Sequence, residues 1–523
     1  MRPVFVTADT AAGLIGEGQT VALMGGGGGL MEATCLFQAV ERRFLTARRP
    51  RDLTLVHALG IGDRQRLGLN CFAYEGLVRR VIGGYWAWSP RMQQLARDEK
   101  IEAYALPGGV ISQLFREIGA RRPGLLTPIG LGTMCDPRHG GGRMNARARD
   151  MLAEVIELGG RELLRYKPFA VDVALVRAGA ADDDGNVSFA HEAVNLDAAA
   201  IALAARACGG KVIVQVRERL PPGALRAREV RLPAPWVDAI VVDPNQRTSY
   251  DVAFDRSLAG ELTGEARVAL QSPTPEPFDA RQALARRAAC ELFEGAVVSY
   301  GFGAADAVAR LVAQRGEVDR VFQTIDHGAY GGILLGGDLF GYARNASAIV
   351  DAAEQFDYYA GGNLDIAFLG FGEVDAQGNV NASLIGGMPV GPGALIDIAQ
   401  NARTVVFCGP FAAKGVEVKT GDGRLRVQRQ GDVRKFVREV EQMTFGAARA
   451  LTQGQTVLYL TERAGFRLTP EGTELFEIAP GIDLERDVFD QMGFAPRLAE
   501  HLAVMPESHF RCEDDRFGAL SNR

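Results

Sequence analysis

Short runs of Val, Ile, Leu and Ala recur along the chain with little polar alternation. They stand at 21–24, 171–176, 212–216, 239–242, 297–300, 321–325, 364–369, 404–408 and 456–460. Strands that are apolar at nearly every position suit a sheet covered on both faces, the habit of parallel strands. Between several of them lie Ala/Leu/Arg stretches at helical spacing. One is 281–293, and Asp279 followed three residues later by Gln282 makes a capping-box pattern at its start. Strand and helix in alternation predict an α/β fold.

The pattern also repeats. Residues 171–188 read VDVALVRAGAADDDGNVS and residues 364–381 read LDIAFLGFGEVDAQGNVN. They align without a gap. Asp172/Asp365, Ala174/Ala367, Gly179/Gly372, Asp182/Asp375, Gly185/Gly378, Asn186/Asn379 and Val187/Val380 are identical pairs. Each copy is a strand, a D-x-x-G-N turn and a second extended piece. So long an ungapped match predicts two similar α/β domains on one chain. Residues 271–279 read QSPTPEPFD, three prolines just ahead of a capped helix, which is linker composition. The expected organisation is an N-terminal domain over 1–270, a linker over 271–280 and a C-terminal domain over 281–523.

Length agrees, since 523 residues exceed what one hydrophobic core holds. Lys and Arg number 58 against 64 Asp and Glu, a net charge of -6. A mildly acidic chain of mixed sign is not built as a general nucleic-acid binder. No apolar run reaches the ~18 residues of a membrane span, and none of signal-peptide length precedes Asp9. Cys35, Cys71, Cys135, Cys208, Cys290, Cys408 and Cys512 form no CxxC pair, so free thiols in a reducing cytoplasm are expected. A soluble cytoplasmic protein is the expectation. None of the six histidines pairs at metal-ligand spacing, and no metal is expected.

Gly is abundant, at 63 residues, and clustered. The run 25–29 follows a strand but lacks a Gly-Lys-Ser/Thr ending, and 301–303 fails similarly, so neither is a standard nucleotide loop. A close backbone approach to some other ligand remains open there. No G-x-S-x-G elbow exists. Residues 321–337 read VFQTIDHGAYGGILLGG. Asp326 ends the apolar strand and a glycine-lined loop follows, the place where open α/β sheets bind ligands. Asp326 is either a functional carboxylate or the cap of a turn. His327 is discounted as its partner, because adjacent side chains on an extended segment point apart. Residues 391–397 read GPGALID, either a plain turn or one that aims backbone N–H groups at a single point, as an oxyanion hole does.

Taken together, these segments resemble the family I coenzyme A transferases, especially the single-chain acetate/propionate type. The specific stretches are 123–145, 364–411 and 461–496, the last reading TERAGFRLTPEGTELFEIAPGIDLERDVFDQMGFAP. The resemblance implies two related α/β domains with the active site between them. The family's E-x-G-x-x-G glutamate nucleophile falls on Asp326, in Asp326-His327-Gly328-Ala329-Tyr330-Gly331, and its oxyanion donors on Gly393 and Ala394. By the same resemblance Gly328, Gly301, Gly303, Gly370 and Asn379 are expected around coenzyme A, and Gly26, Gly27, Gly108, Gly109 and Ser299 around the acyl group. The implied reaction is ping-pong transfer of CoA between short carboxylic acids through an enzyme–CoA thioester, with CoA as substrate, no cofactor, and a homo-oligomeric enzyme.

This chain departs from the family at three places. Aspartate stands for glutamate at 326. Pro107-Gly108-Gly109 stands for Pro-Gln-Gly, and Gly108 is expected to make room for a larger acyl group. Ser299-Tyr300-Gly301-Phe302-Gly303-Ala304-Ala305 stands for Asn-Leu-Gly-x-Gly-x-Pro. An aspartate is shorter by ~1.5 Å, one C–C bond. That leaves three readings open: a transferase with Asp326 as nucleophile, an acyl-CoA hydrolase with Asp326 as general base, and a CoA-thioester binding protein of low activity.

Overall fold

The computed structural model describes residues 3–262 and 278–512. Two large sheets carry the fold. In the first, eight parallel strands run in the order Val4–Phe5, Ala239–Val242, Lys211–Leu220, Val173–Asp182, Thr20–Leu23, Leu53–His57, Val78–Gly83, Glu102–Ala105. The second sheet has a parallel centre, in the order Phe322–Thr324, Val297–Tyr300, Ile366–Gly370, Thr404–Cys408, Thr456–Leu460. Ala464–Thr469 and Gly472–Ile478 extend it by antiparallel hairpins. The apolar strands are buried as their patterning predicts; all ten residues of Val173–Asp182 are. Among the described residues no helix is long and apolar enough to cross a membrane, and no disulfide links the seven cysteines.

The repeat lies at corresponding positions in the two sheets. Val173–Asp182 sits between Thr20–Leu23 and Lys211–Leu220, and Ile366–Gly370 between Val297–Tyr300 and Thr404–Cys408. The identical residues hold the same bonds. Asp172 accepts the N–H of Thr20 at 2.8 Å, and Asp365 that of Val297 at 2.9 Å. Asp182 closes its turn by accepting the Asn186 N–H at 2.8 Å; Asp375 does so with Asn379 at 2.9 Å. The helix expected over 281–293 spans Ala280–Ala289, and Asp279 accepts the N–H groups of Arg281 and Gln282. Most of the expected linker over 271–280 lies outside the described residues.

The two sheet systems are joined by main chain as well as side chains. Gly393 O accepts the Gly108 N–H at 2.7 Å, and Gly393 N–H bonds Gly84 O at 2.8 Å. The carboxylate of Asp397 accepts Gly109 N–H at 3.0 Å and Val110 N–H at 3.1 Å, capping the helix Gly108–Gly119 from the opposite half. An acidic side chain at a helix N-terminus offers acceptors to N–H groups that have no partner within the helix.

Candidate active site

Asp326 follows the strand Phe322–Thr324 and is 8% exposed. It does not lie on extended chain. Gly328 N–H bonds Ile325 O at 2.9 Å, which closes a four-residue turn with Asp326 and His327 at its corners. Gly328 has φ 100°, and a Cβ there would meet Val350 O at 2.3 Å, so the turn requires glycine. The turn overrides the expectation that the neighbouring side chains diverge. His327 Nδ1 lies 3.0 Å from Asp326 Oδ1, and its Nε2 lies 3.3 Å from Gly26 O of the first half. The discounted histidine is the direct partner of the candidate nucleophile.

Asp326 opens onto a cavity of about 300 Å³. Gly26, Leu59, Tyr85 and Trp88 line it from the first half; Tyr300, Phe302, Phe340, Phe371 and the turn Pro392–Leu395 line it from the second. Of the residues expected at the site, Asp326, Gly26, Gly301, Gly370, Gly393 and Ala394 line this cavity. Gly27, Gly108, Gly109, Ser299, Gly303, Gly328 and Asn379 do not.

The reasons differ. Gly27 packs behind Trp88, and Gly328 shapes the turn. Gly109 serves the Asp397 cap. The Ser299 hydroxyl accepts from Tyr359 at 3.3 Å in the core beneath Asp326. Gly303 lines a neighbouring hollow that shares Phe302. Asn379 is spent on its own turn: its amide donates to Asp375 at 3.0 Å, and its Oδ1 accepts the Ala447 N–H at 2.9 Å. Gly108 opens no room either. A Cβ there would stand 2.9 Å from Ala58 O and 3.2 Å from the Leu59 side chain, which occupies that wall.

The two expected oxyanion donors are not equivalent. Gly393 N–H is engaged by Gly84 O, whereas the Ala394 N–H makes no hydrogen bond among the described residues and borders the cavity. Behind this turn, burial raises the Asp397 carboxyl to about 8, against the backbone donors that lower it; Asp326 adds a smaller upward push. Glu32 holds the glycine run in place. It accepts Gly29 N–H at 3.3 Å and Gly62 N–H at 2.9 Å, and the Tyr250 hydroxyl donates to it. Burial raises Glu32 to about 7.

Sequence reasoning missed His327 and the rings Tyr85, Trp88, Phe340 and Phe371. The rings come from widely separated segments that no local pattern joins. The turn at His327 was signalled only by Gly328.

Residues 5–243 match the family described as coenzyme A transferase. The chain is 38% identical over 510 residues to acetate CoA-transferase YdiF of Escherichia coli K12, covering 97% of this chain and 95% of that protein. It is likewise 38% identical over 515 residues to caffeate CoA-transferase of Acetobacterium woodii, covering 97% of each. The crystal structure of the acyl-CoA transferase YdiF of E. coli O157:H7, as a thioester complex with CoA, superposes with a TM-score of 0.94 at 36% identity. That match covers 100% of this chain and 98% of the other.

Proposed function

The chain belongs to the coenzyme A transferase family, and from that membership we propose how its own residues carry the transfer of CoA from an acyl-CoA to a carboxylic acid. The observation that carries the reading is Asp326, set in a cavity shared by both halves, with the unengaged Ala394 N–H bordering the same space.

Asp326 is the nucleophile. One carboxylate oxygen attacks the thioester carbonyl carbon, the C–S bond breaks, and an acyl–aspartyl anhydride and CoA thiolate form. The thiolate then attacks the aspartyl carbonyl, the first acid leaves as carboxylate, and Asp326 carries CoA as a thioester. A second carboxylate attacks that thioester and the steps reverse. No net proton or redox change occurs, so no further cofactor is required. Ala394 N–H supports the oxyanion at each tetrahedral stage. His327 holds Oδ1 of Asp326, leaving Oδ2 for attack. The shorter aspartate is served by this fixed orientation, because misplacement by about 1 Å costs ~10²-fold in a covalent step.

The domain division at 1–270 and 281–523, a cytoplasmic location and a homo-oligomeric assembly belong to the same reading. The test is incubation with an acyl-CoA and a second acid, following both CoA esters and free thiol. The expected result is the new acyl-CoA with little thiol, and a protein mass increase by CoA that hydroxylamine removes and Asp326→Ala lacks. Thiol release independent of added acid would assign hydrolysis instead.

A further inference from the structure

Rings line one wall of the cavity from its rim to the nucleophile. Trp88 and Phe302 have centroids 6.1 Å apart, Phe302 and Phe340 5.3 Å, and Phe340 and the His327 ring 5.7 Å. Trp88 comes from the first half and the others from the second. Tyr85, Tyr300 and Phe371 add aromatic surface around the same space. Phe302 remains 37% exposed, apolar area that a ligand can cover. The hydroxyl of Tyr300 is buried with no hydrogen-bond partner among the described residues.

The charges complete the picture. No Lys or Arg lines the cavity; its ionisable groups are Asp326, His327 and the two tyrosines. The cation at the rim, Arg64, has its guanidinium carbon 3.9 Å from the Trp88 centroid and 5.2 Å from that of Phe302. It is paired with Asp338 at 2.7 Å.

We propose that the acid exchanged in this cavity is an arene-bearing monocarboxylic acid, in preference to acetate or a dicarboxylic acid. The proposal rests on the transferase reading above and deepens it. The single carboxylate is consumed in the covalent step, so the rest of the acyl group meets only the walls. A second carboxylate would enter an apolar space with no unpaired cation to receive it, where an unpaired charge is strongly disfavoured. A methyl group would leave the ring faces uncovered. An aromatic ring stacks edge or face on those rings and removes apolar area from water.

The experiment offers 3-phenylpropanoate, acetate and butanedioate as acceptors, with butanoyl-CoA as the common donor. We expect kcat/KM for 3-phenylpropanoate to exceed that for acetate by at least about tenfold. Butanedioate should fall about a hundredfold or more below 3-phenylpropanoate. In a Phe302→Ala/Phe340→Ala protein the ratio of 3-phenylpropanoate to acetate should shrink about tenfold. Acetate or butanedioate equal to 3-phenylpropanoate, or a ratio unmoved by the double substitution, would overturn the proposal. If no acid accepts CoA from any donor, the transferase reading has failed separately. The ligand preference is then read from thermal shifts: a larger shift with 3-phenylpropanoyl-CoA than with acetyl-CoA supports it, and equal shifts reject it.

Discussion

The imidazole of His327 holds the carboxylate of Asp326 through Nδ1 and Oδ1 at 3.0 Å, across a turn whose fourth residue must be glycine. A hydrogen bond to a charged group contributes about 1.5–3 kcal/mol. His327→Leu should therefore lower kcat/KM by about 10- to 100-fold, with most of the loss in kcat, because the carboxylate loses its fixed aim. His327→Gln should recover part of it. Steady-state kinetics of the two variants, with circular dichroism to verify folding, decide the matter. Equal activity in His327→Leu and the parent would remove His327 from the mechanism.

Asp397 ties the turn at Gly393 and Ala394 to the helix Gly108–Gly119. Replacing it by alanine leaves two buried N–H groups without an acceptor, at about 1–3 kcal/mol each. Asp397→Ala should lose several kcal/mol in urea unfolding and most of its activity. Asp397→Asn keeps one acceptor oxygen and should lose less.

The same residue imposes a pH dependence of known sign. Its carboxyl titrates at about 8 in the fold, above the ordinary value of 3.8. A carboxyl with a raised folded value stabilises the fold fully below the unfolded value, and that contribution is lost as pH rises through the folded one. Between pH 4 and 8, then, the stability of the parent minus that of Asp397→Asn should fall steadily. Urea unfolding of both proteins at several pH values measures the difference; a flat or rising difference contradicts it.

Asn379 provides a contrasting case. Its side chain closes the Asp375 turn and receives the Ala447 N–H. Asn379→Ala should cost about 1–2 kcal/mol of stability while leaving the KM for the acyl-CoA unchanged within error. A raised KM with unchanged stability would instead place Asn379 at the coenzyme.

The architecture was legible where side chains serve the backbone. Val173–Asp182 and Ile366–Gly370 declare buried strands by composition, and the aspartates of the repeat hold matching bonds because both copies solve the same turn. Asp279 as a helix cap was legible for the same reason. Around Asp326 the reading was less complete. Gly108, Gly109 and Asn379 carry the pattern of a ligand site, yet their spacing reflects contacts between and within the two halves. His327 escaped because one glycine turns a strand end into a corner. The ring wall escaped because Trp88, Phe302 and Phe340 meet only after both halves have folded.

That last dependence bears on how the enzyme comes into being. Asp397 reaches across to finish a helix that begins at Gly108, and Gly393 is stitched by its own backbone to Gly84 and Gly108. A ribosome releases the leading part long before residues 393 and 397 exist. During that interval the first turn of the helix has no acceptor from the trailing part. A chain cut short of residue 393 therefore lacks both the acceptors that finish that helix and the turn that lines the cavity beside Asp326.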